Sequence, residues 1–226
     1  PAEGARVAAF TKLIHQADIE VDPKDGTQKW LYTGGAVLHP SICIEAGKAY
    51  FVESRNPDLK KKSGRLGLEI FKDMRLVALD LATGKEEWSQ AIHPLQGKAS
   101  FSMAVSGGKL VIVSSEAGRF GIYSYDAKNG APIWDKTLKW ESDHHGRHLS
   151  RPAIVGNKLI VRPYVMNLET GATLSQAFPK GHTCASYCVT EKTLIFRAGE
   201  MTMWNLETKQ ESRWPRLRSD CLLSTI

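Results

Sequence analysis

The sequence lacks any long apolar run. No stretch approaches the roughly 20 consecutive apolar residues that a helix needs to cross a bilayer, so we predict no membrane span. No helix-turn-helix or RNA-binding signature is present, and we therefore expect no nucleic-acid partner. Helical periodicity is nowhere sustained over about 12 residues, which argues against a solenoid of helix pairs. With only 4 cysteines in 226 residues, the chain is not a disulfide scaffold.

The sequence also lacks a strong predominance of one sign of charge. The chain has 30 basic and 24 acidic residues, which gives a net charge of +6. That surplus is compatible with an acidic partner, but the basic residues are scattered. One tight run, Lys60 to Lys62, is predicted to be a solvated loop.

What the sequence does contain is a repeat. An Asp or Asn is followed after three residues by a Gly, and after three more by a Trp. Three complete copies run from Asp22 to Trp30, from Asp80 to Trp88 and from Asp126 to Trp134. Two degenerate copies follow. The one that begins at Asn167 has Ser175 in place of Trp, and the one that begins at Asn205 has Lys209 in place of Gly and Trp214 one residue late.

Each part of the motif has a physical task. The Asp or Asn and the Gly favour a tight hairpin turn, because Gly accepts positive φ and the Asx side chain bonds the turn backbone. The Trp offers a large apolar surface that can wedge between neighbouring sheets. We therefore assign a structural, blade-docking role to the motif tryptophans, which are Trp30, Trp88, Trp134 and Trp214.

The repeat predicts an all-β fold. Ahead of each motif lies a short strand, a turn and an apolar strand, so each unit of about 40 residues contains four antiparallel strands. We predict a single partial β-propeller over 1–226, with complete four-stranded blades near 39–90, 99–138, 148–176 and 181–214. Partial blades are predicted at 1–35 and 219–226. Because the chain begins and ends inside a blade, we expect it to be a fragment of a longer ring.

The motif from Asp80 to Trp88 resembles the repeat of pyrroloquinoline-quinone-type propellers. That superfamily includes quinoprotein alcohol dehydrogenases and the propeller lipoprotein that assists outer-membrane β-barrel assembly. The resemblance implies a periplasmic or extracellular location. Quinoprotein dehydrogenases are characterised by an adjacent cysteine pair and acidic calcium ligands. No two cysteines are adjacent here, so we do not expect the quinone as a cofactor.

The segments between blades contain the candidate site. They should meet at one face of the propeller, at the mouth of its central channel, and the long insertion 55–74 should overhang the same face. Imidazole and guanidinium groups there suit an anionic ligand, a divalent metal or acid–base chemistry. Alternatively, these side chains only satisfy backbone carbonyls, and no spacing matches a known zinc motif. The candidate residues are His39, His144, His145, Arg147, His148, Arg151 and His182.

The four cysteines are each given a prediction. Cys184 and Cys188 would lie roughly 13 Å apart on a strand, whereas a disulfide requires Cα atoms within about 7 Å. Cys184 and Cys221 occupy nearly equivalent positions in successive repeats, and a disulfide between them is our hypothesis. Buried free thiols, or a partner in a missing part of the ring, are the alternatives. Cys43 is predicted to be a core residue.

Two functions remain open at this stage. The first is a binding scaffold outside the cytoplasm for a protein or another ligand. The second is an enzyme domain that uses the His- and Arg-rich face, acting on carbohydrate or, with less support, as a quinoprotein oxidoreductase. The sequence does not identify a ligand or an oligomeric state.

Overall fold

The structure is a computed structural model of the 226-residue chain. It describes residues 19–21, 27–61, 67–96, 98–116, 118–139, 151–176 and 187–217. Within these ranges no helix is both long and apolar enough to cross a membrane.

The described fold is an all-β series of antiparallel sheets, which confirms the predicted propeller class. A leading hairpin of β1 (Ile19–Val21) and β2 (Gln28–Leu31) precedes four sheets, which we call blades 1 to 4. Blade 1 contains β3 (Ala36–Val37), β4 (Cys43–Glu45), β5 (Lys48–Ser54), β6 (Met74–Asp80) and β7 (Glu86–Ala91).

The next three blades are four-stranded meanders. Blade 2 contains β8 (Lys98–Ser106), β9 (Lys109–Glu116), β10 (Arg119–Asp126) and β11 (Pro132–Lys139). Blade 3 contains β12 (Ala153–Val155), β13 (Lys158–Val161), β14 (Tyr164–Asn167) and β15 (Thr173–Gln176). Blade 4 contains β16 (Cys188–Val189), β17 (Thr193–Ala198), β18 (Glu200–Asn205) and β19 (Glu211–Trp214). The blade predicted at 219–226 lies outside the described residues.

The first strand of blade 1 is broken, which the sequence pattern did not predict. A short 3-10 helix, η1 (His39–Ser41), separates β3 from β4. Pro40 has no N–H and cannot donate to a strand ladder. The Oγ of Ser41 takes over part of the pairing, because it accepts a hydrogen bond from Val52 N (2.8 Å) and donates to Leu38 O (2.6 Å).

The hydrophobic core lies between consecutive sheets. On β5, Phe51 packs towards the leading hairpin, and its ring meets that of Tyr32 edge-on with centroids 5.2 Å apart. The alternate residues Tyr50 and Val52 pack towards blade 2. Both faces of the central strands are therefore buried, as stacked sheets require. A further cluster joins blades 2 and 3.

The motif turns have the predicted chemistry. In blade 1 the Oδ1 of Asp80 accepts a hydrogen bond from Thr83 N (2.8 Å), and Gly84 has φ +68°. Asn167 and Gly171 repeat this arrangement in blade 3, with Thr170 N donating to the Asn side chain at 3.0 Å. Each turn thus reverses the chain between the third and fourth strands of its blade.

Candidate functional site

The strand order gives the molecule two faces. One, which we call the motif face, contains the motif turns and the turns between the first and second strands of each blade. The other, which we call the loop face, contains the segments between blades and the connections between the second and third strands. Hydrogen bonds between blades agree with this assignment. Glu45 accepts from Gly107 N (3.2 Å) on the motif face, and Tyr164 Oη donates to Lys139 O on the loop face.

Two residues of the predicted site are described. His39 is half-buried at the start of η1, within the broken first strand of blade 1 rather than in a segment between blades. Arg151 is exposed ahead of β12, and its carbonyl oxygen accepts a hydrogen bond from Tyr187 Oη of blade 4. The other predicted residues, His144, His145, Arg147, His148 and His182, lie outside the described residues, and so do Cys184 and Cys221. The imidazole-rich site and the disulfide therefore stay predictions.

Among the described residues we searched for clusters of side chains that could bind a metal ion. In the seven described ranges, no three His, Cys, Asp or Glu side chains come together in a group that could hold an ion. Cys43 and Cys188 are free thiols. Cys43 packs in the core between blades 1 and 2, where its thiol donates to Met103 O (3.2 Å). Burial raises the pKa of this thiol to about 11.

The described parts of the insertion between β5 and β6, 55–61 and 67–73, belong to the loop face. It contains η2 (Pro57–Lys61) and η3 (Leu68–Phe71). The buried Asn56 links them, because its Nδ2 donates to Glu69 O (3.0 Å) and its Oδ1 accepts from Asp58 N (3.2 Å). Phe71 anchors the insertion on Phe101 of blade 2, with ring centroids 5.5 Å apart. The side chain of Leu68 is left 65% exposed.

A buried carboxylate fixes the base of this insertion. The residue Glu53 is 0% exposed and accepts hydrogen bonds from Gly35 N (2.7 Å), Tyr32 Oη (3.0 Å) and Arg55 Nε (2.5 Å). Arg55 also pairs with Glu86 (2.6 Å). Burial lowers the pKa of Arg55, but its bonds to the two carboxylates outweigh this effect and raise it. Burial, followed by the charge of Glu53, raises the pKa of Tyr32.

No sequence pattern predicted this network. Glu53 lies two residues after Phe51 on β5 and therefore on the same face of the strand. A carboxylate on that apolar face is a weak signal for burial. The partners Tyr32 and Gly35 come from the chain ahead of blade 1, so only the tertiary structure brings them together. The network joins the leading hairpin to the strand from which the insertion departs.

Motif tryptophans lie over the motif glycines of the next blade. A Cβ built on Gly84 would lie 2.5 Å from the Trp30 ring. A Cβ built on Gly130 would lie 2.6 Å from the Trp88 ring. In the third pair, a Cβ built on Gly171 would lie 2.7 Å from the Trp134 ring. We call the contact between consecutive sheets a seam, and these pairs occupy the first three.

Indole hydrogen bonds strengthen two of these seams. Trp30 Nε1 donates to Leu81 O (2.8 Å), and Trp134 Nε1 donates to Leu168 O (2.9 Å). Nε1 of Trp88 is buried and has no hydrogen-bond partner within the described part of the chain. Trp214, the last motif tryptophan, is 41% exposed.

The fourth seam, between blades 3 and 4, is built differently. Ser175 occupies the Trp position of the blade 3 motif, and Lys209 occupies the Gly position of the blade 4 motif. Lys209 still adopts a positive φ of +57°. Across this seam the guanidinium carbon of Arg162 lies 4.6 Å from the centroid of the Phe196 ring, and Tyr187 Oη donates to Ile160 O (3.0 Å). The missing Trp and the missing Gly therefore belong to the same seam. This is expected if each motif Trp packs on the motif Gly of the next blade.

These stacked four-stranded sheets, joined by Trp and Gly, define a pyrroloquinoline-quinone-type repeat β-propeller. A family model described as outer membrane protein assembly factor BamB matches residues 70–219, and the chain belongs to this family. No curated protein sequence matches the chain significantly.

Solved structures agree on the fold. BamB from Moraxella catarrhalis is 15% identical with a TM-score of 0.52, over 82% of this chain and 55% of that one. Quinohemoprotein alcohol dehydrogenase from Comamonas testosteroni is 15% identical with a TM-score of 0.54, over 89% and 44%. A chain of the mitotic checkpoint complex reaches 0.57 at 11% identity, over 92% and 60%. Such low identities show the fold alone, and this chain spans less than two thirds of each of these structures.

Proposed function

We propose that this chain is part of a protein-binding propeller scaffold that works outside the cytoplasm and contacts its partner through the loop face. The family supports this proposal, because the matched model is described as an assembly factor. The location rests on the same resemblance. Enzyme chemistry at the His- and Arg-rich face would depend on side chains outside the described residues.

One observation carries the choice of face. The insertion 55–73 is held by buried groups at its base, yet it presents Leu68 to solvent. Binding residues are commonly placed on such loops above a rigid scaffold. The motif face, in contrast, is made of short turns whose Asx side chains bond their own backbone.

Site-specific photo-crosslinking tests this proposal. A photoreactive amino acid is placed at Leu68 in the full-length protein, expressed in its native host, and crosslinked products are identified by mass spectrometry. Leu174 is the matched control, because it is the same residue type, is 56% exposed and lies near the motif-face end of β15. We expect a specific protein adduct from Leu68 and none from Leu174.

Two outcomes would contradict the proposal. Equal adducts from both positions would show that the loop face has no special role. An absence of adducts from Leu68, with the protein recovered in the cytoplasmic fraction, would overturn both the face and the location.

A further inference from the structure

The two faces differ in charge. Loop-face segments, taken as the described residues of 53–75, 91–98, 116–119, 139, 151–153, 161–164, 197–200 and 214–217, contain twelve basic and six acidic residues. Motif-face segments, taken as 45–48, 80–87, 106–109, 126–132, 155–158, 167–173, 189–193 and 205–211, contain seven basic and nine acidic residues. The basic surplus of the described chain thus lies on the loop face.

Charges on the motif face nearly balance in number, and several of them pair locally. Lys109 pairs with Glu169 across the third seam (2.8 Å), and Lys48 pairs with Glu87 within blade 1. Glu45 accepts hydrogen bonds from the backbone of blade 2. With nearly equal numbers of basic and acidic residues, the motif face presents little net field to an outside partner.

Several loop-face cations are exposed and not neutralised. Lys72 ends the insertion, Lys139 ends β11, Arg151 precedes β12 and Arg216 follows β19. All four are exposed, and within the described ranges none of them forms an ion pair. Among the exposed carboxylates of the loop face, Asp58 likewise forms no ion pair within the described ranges. The four cations come from four different blades or their connections, so the surplus extends across the face.

We infer that the loop face binds an acidic polypeptide segment. This inference rests on the proposed function and specifies the chemistry of the partner. A surface with a surplus of one sign of charge steers an oppositely charged partner and selects it against others. Glu86 of the motif face pairs with Arg55 of the loop face, but most motif-face charges lie far away, because an eight-residue strand such as β9 is roughly 26 Å long. That distance exceeds the Debye length of about 8 Å at physiological ionic strength.

The test uses a fluorescein-labelled 20-residue poly-glutamate peptide as the probe, with affinity measured by fluorescence anisotropy. The loop-face variant carries Lys72→Glu, Lys139→Glu and Arg151→Glu. The matched control carries Lys85→Glu, Lys128→Glu and Lys209→Glu, which are exposed motif-face lysines. Both variants change the net charge equally. A second loop-face variant with Gln at the same three positions serves if the Glu variant does not fold.

We expect the loop-face variant to lose about 10-fold or more in affinity, the control less than about 3-fold, and the wild-type affinity to fall steeply with added salt. Equal losses in both triple variants would overturn the inference, because net charge alone would then explain binding. Tight binding of vesicles containing phosphatidylglycerol, or of an oligouridylate, without binding of poly-glutamate would also overturn the inference. A crosslink from Leu68 that persists in the loop-face variant would contradict the acidic partner while leaving the proposed scaffold function intact.

Discussion

At the scale of single residues, the motif glycines satisfy two requirements at once. Gly130 has φ +73°, a conformation that costs other residues roughly 1–2 kcal/mol. A side chain there would also collide with the Trp88 ring of the preceding blade. The local turn and the packing between blades therefore both select glycine at this position.

A pair of substitutions separates these two effects. Gly130→Ala combines backbone strain with the collision, whereas Gly156→Ala at φ +54° meets nothing within 4 Å. We expect Gly130→Ala to lower the free energy of unfolding by about 1–3 kcal/mol more than Gly156→Ala. Urea denaturation of the full chain measures both, and equal losses would show that Trp88 does not press on this glycine.

Cys43 provides a second prediction at this scale. Burial raises its thiol pKa to about 11, so the thiol stays protonated and poorly nucleophilic near pH 8. We expect iodoacetamide to modify Cys43 slowly in the native chain at pH 8 and rapidly in urea, as followed by mass spectrometry. Because the unfolded thiol ionises first, the contribution of this group to stability should fall as pH rises from about 9 to 11. Rapid native alkylation at pH 8 would contradict its burial.

At the scale of elements, the seams are the units that hold the blades together. The first three combine a Trp over a Gly with an apolar cluster between the sheets. The fourth replaces the pair by Ser175 and Lys209 and uses the contact of Arg162 with Phe196. The half-buried Arg162 over the buried Phe196 ring contributes about 0.5–2 kcal/mol, which is less than the packing of a large indole surface contributes. Blade 4 is therefore expected to be attached less firmly than blades 1 to 3.

A double-mutant cycle tests whether the Trp and the Gly form one unit. We expect Ser175→Trp alone to be neutral or destabilising, because the new indole meets the Lys209 side chain. Together with Lys209→Gly it should stabilise the chain, with a coupling free energy of about 0.5–3 kcal/mol. Urea denaturation gives the coupling, and hydrogen exchange should show greater protection in 188–214. Additivity within about 0.5 kcal/mol would mean that the two positions do not meet.

At the scale of the whole molecule, the two faces differ in structure and in charge. The motif face is built from regular turns, and several of its charges pair locally. The loop face carries the insertion, the segments between blades and the surplus of positive charge. One side of the propeller can thus vary for recognition while the repeat on the other side maintains the stacking.

The sequence by itself determined the all-β class, the blades and their turns. These follow from local rules: Asx and Gly specify the turns, apolar strands specify the sheets, and the spacing of about 40 residues specifies the repeat. It also indicated that Trp30, Trp88 and Trp134 pack between blades. It could not show that each lies over a particular glycine, because that contact joins residues 37 to 54 positions apart in the chain.

Only the tertiary structure decided the rest. The buried Glu53 meets Tyr32 and Gly35 because two successive sheets pack face to face, and no local pattern contains that information. The break at η1 likewise depends on a Ser41 side chain that pairs with the next strand. The asymmetry of charge between the faces appeared only when the strand order assigned each residue to a face, since along the chain the basic residues are scattered.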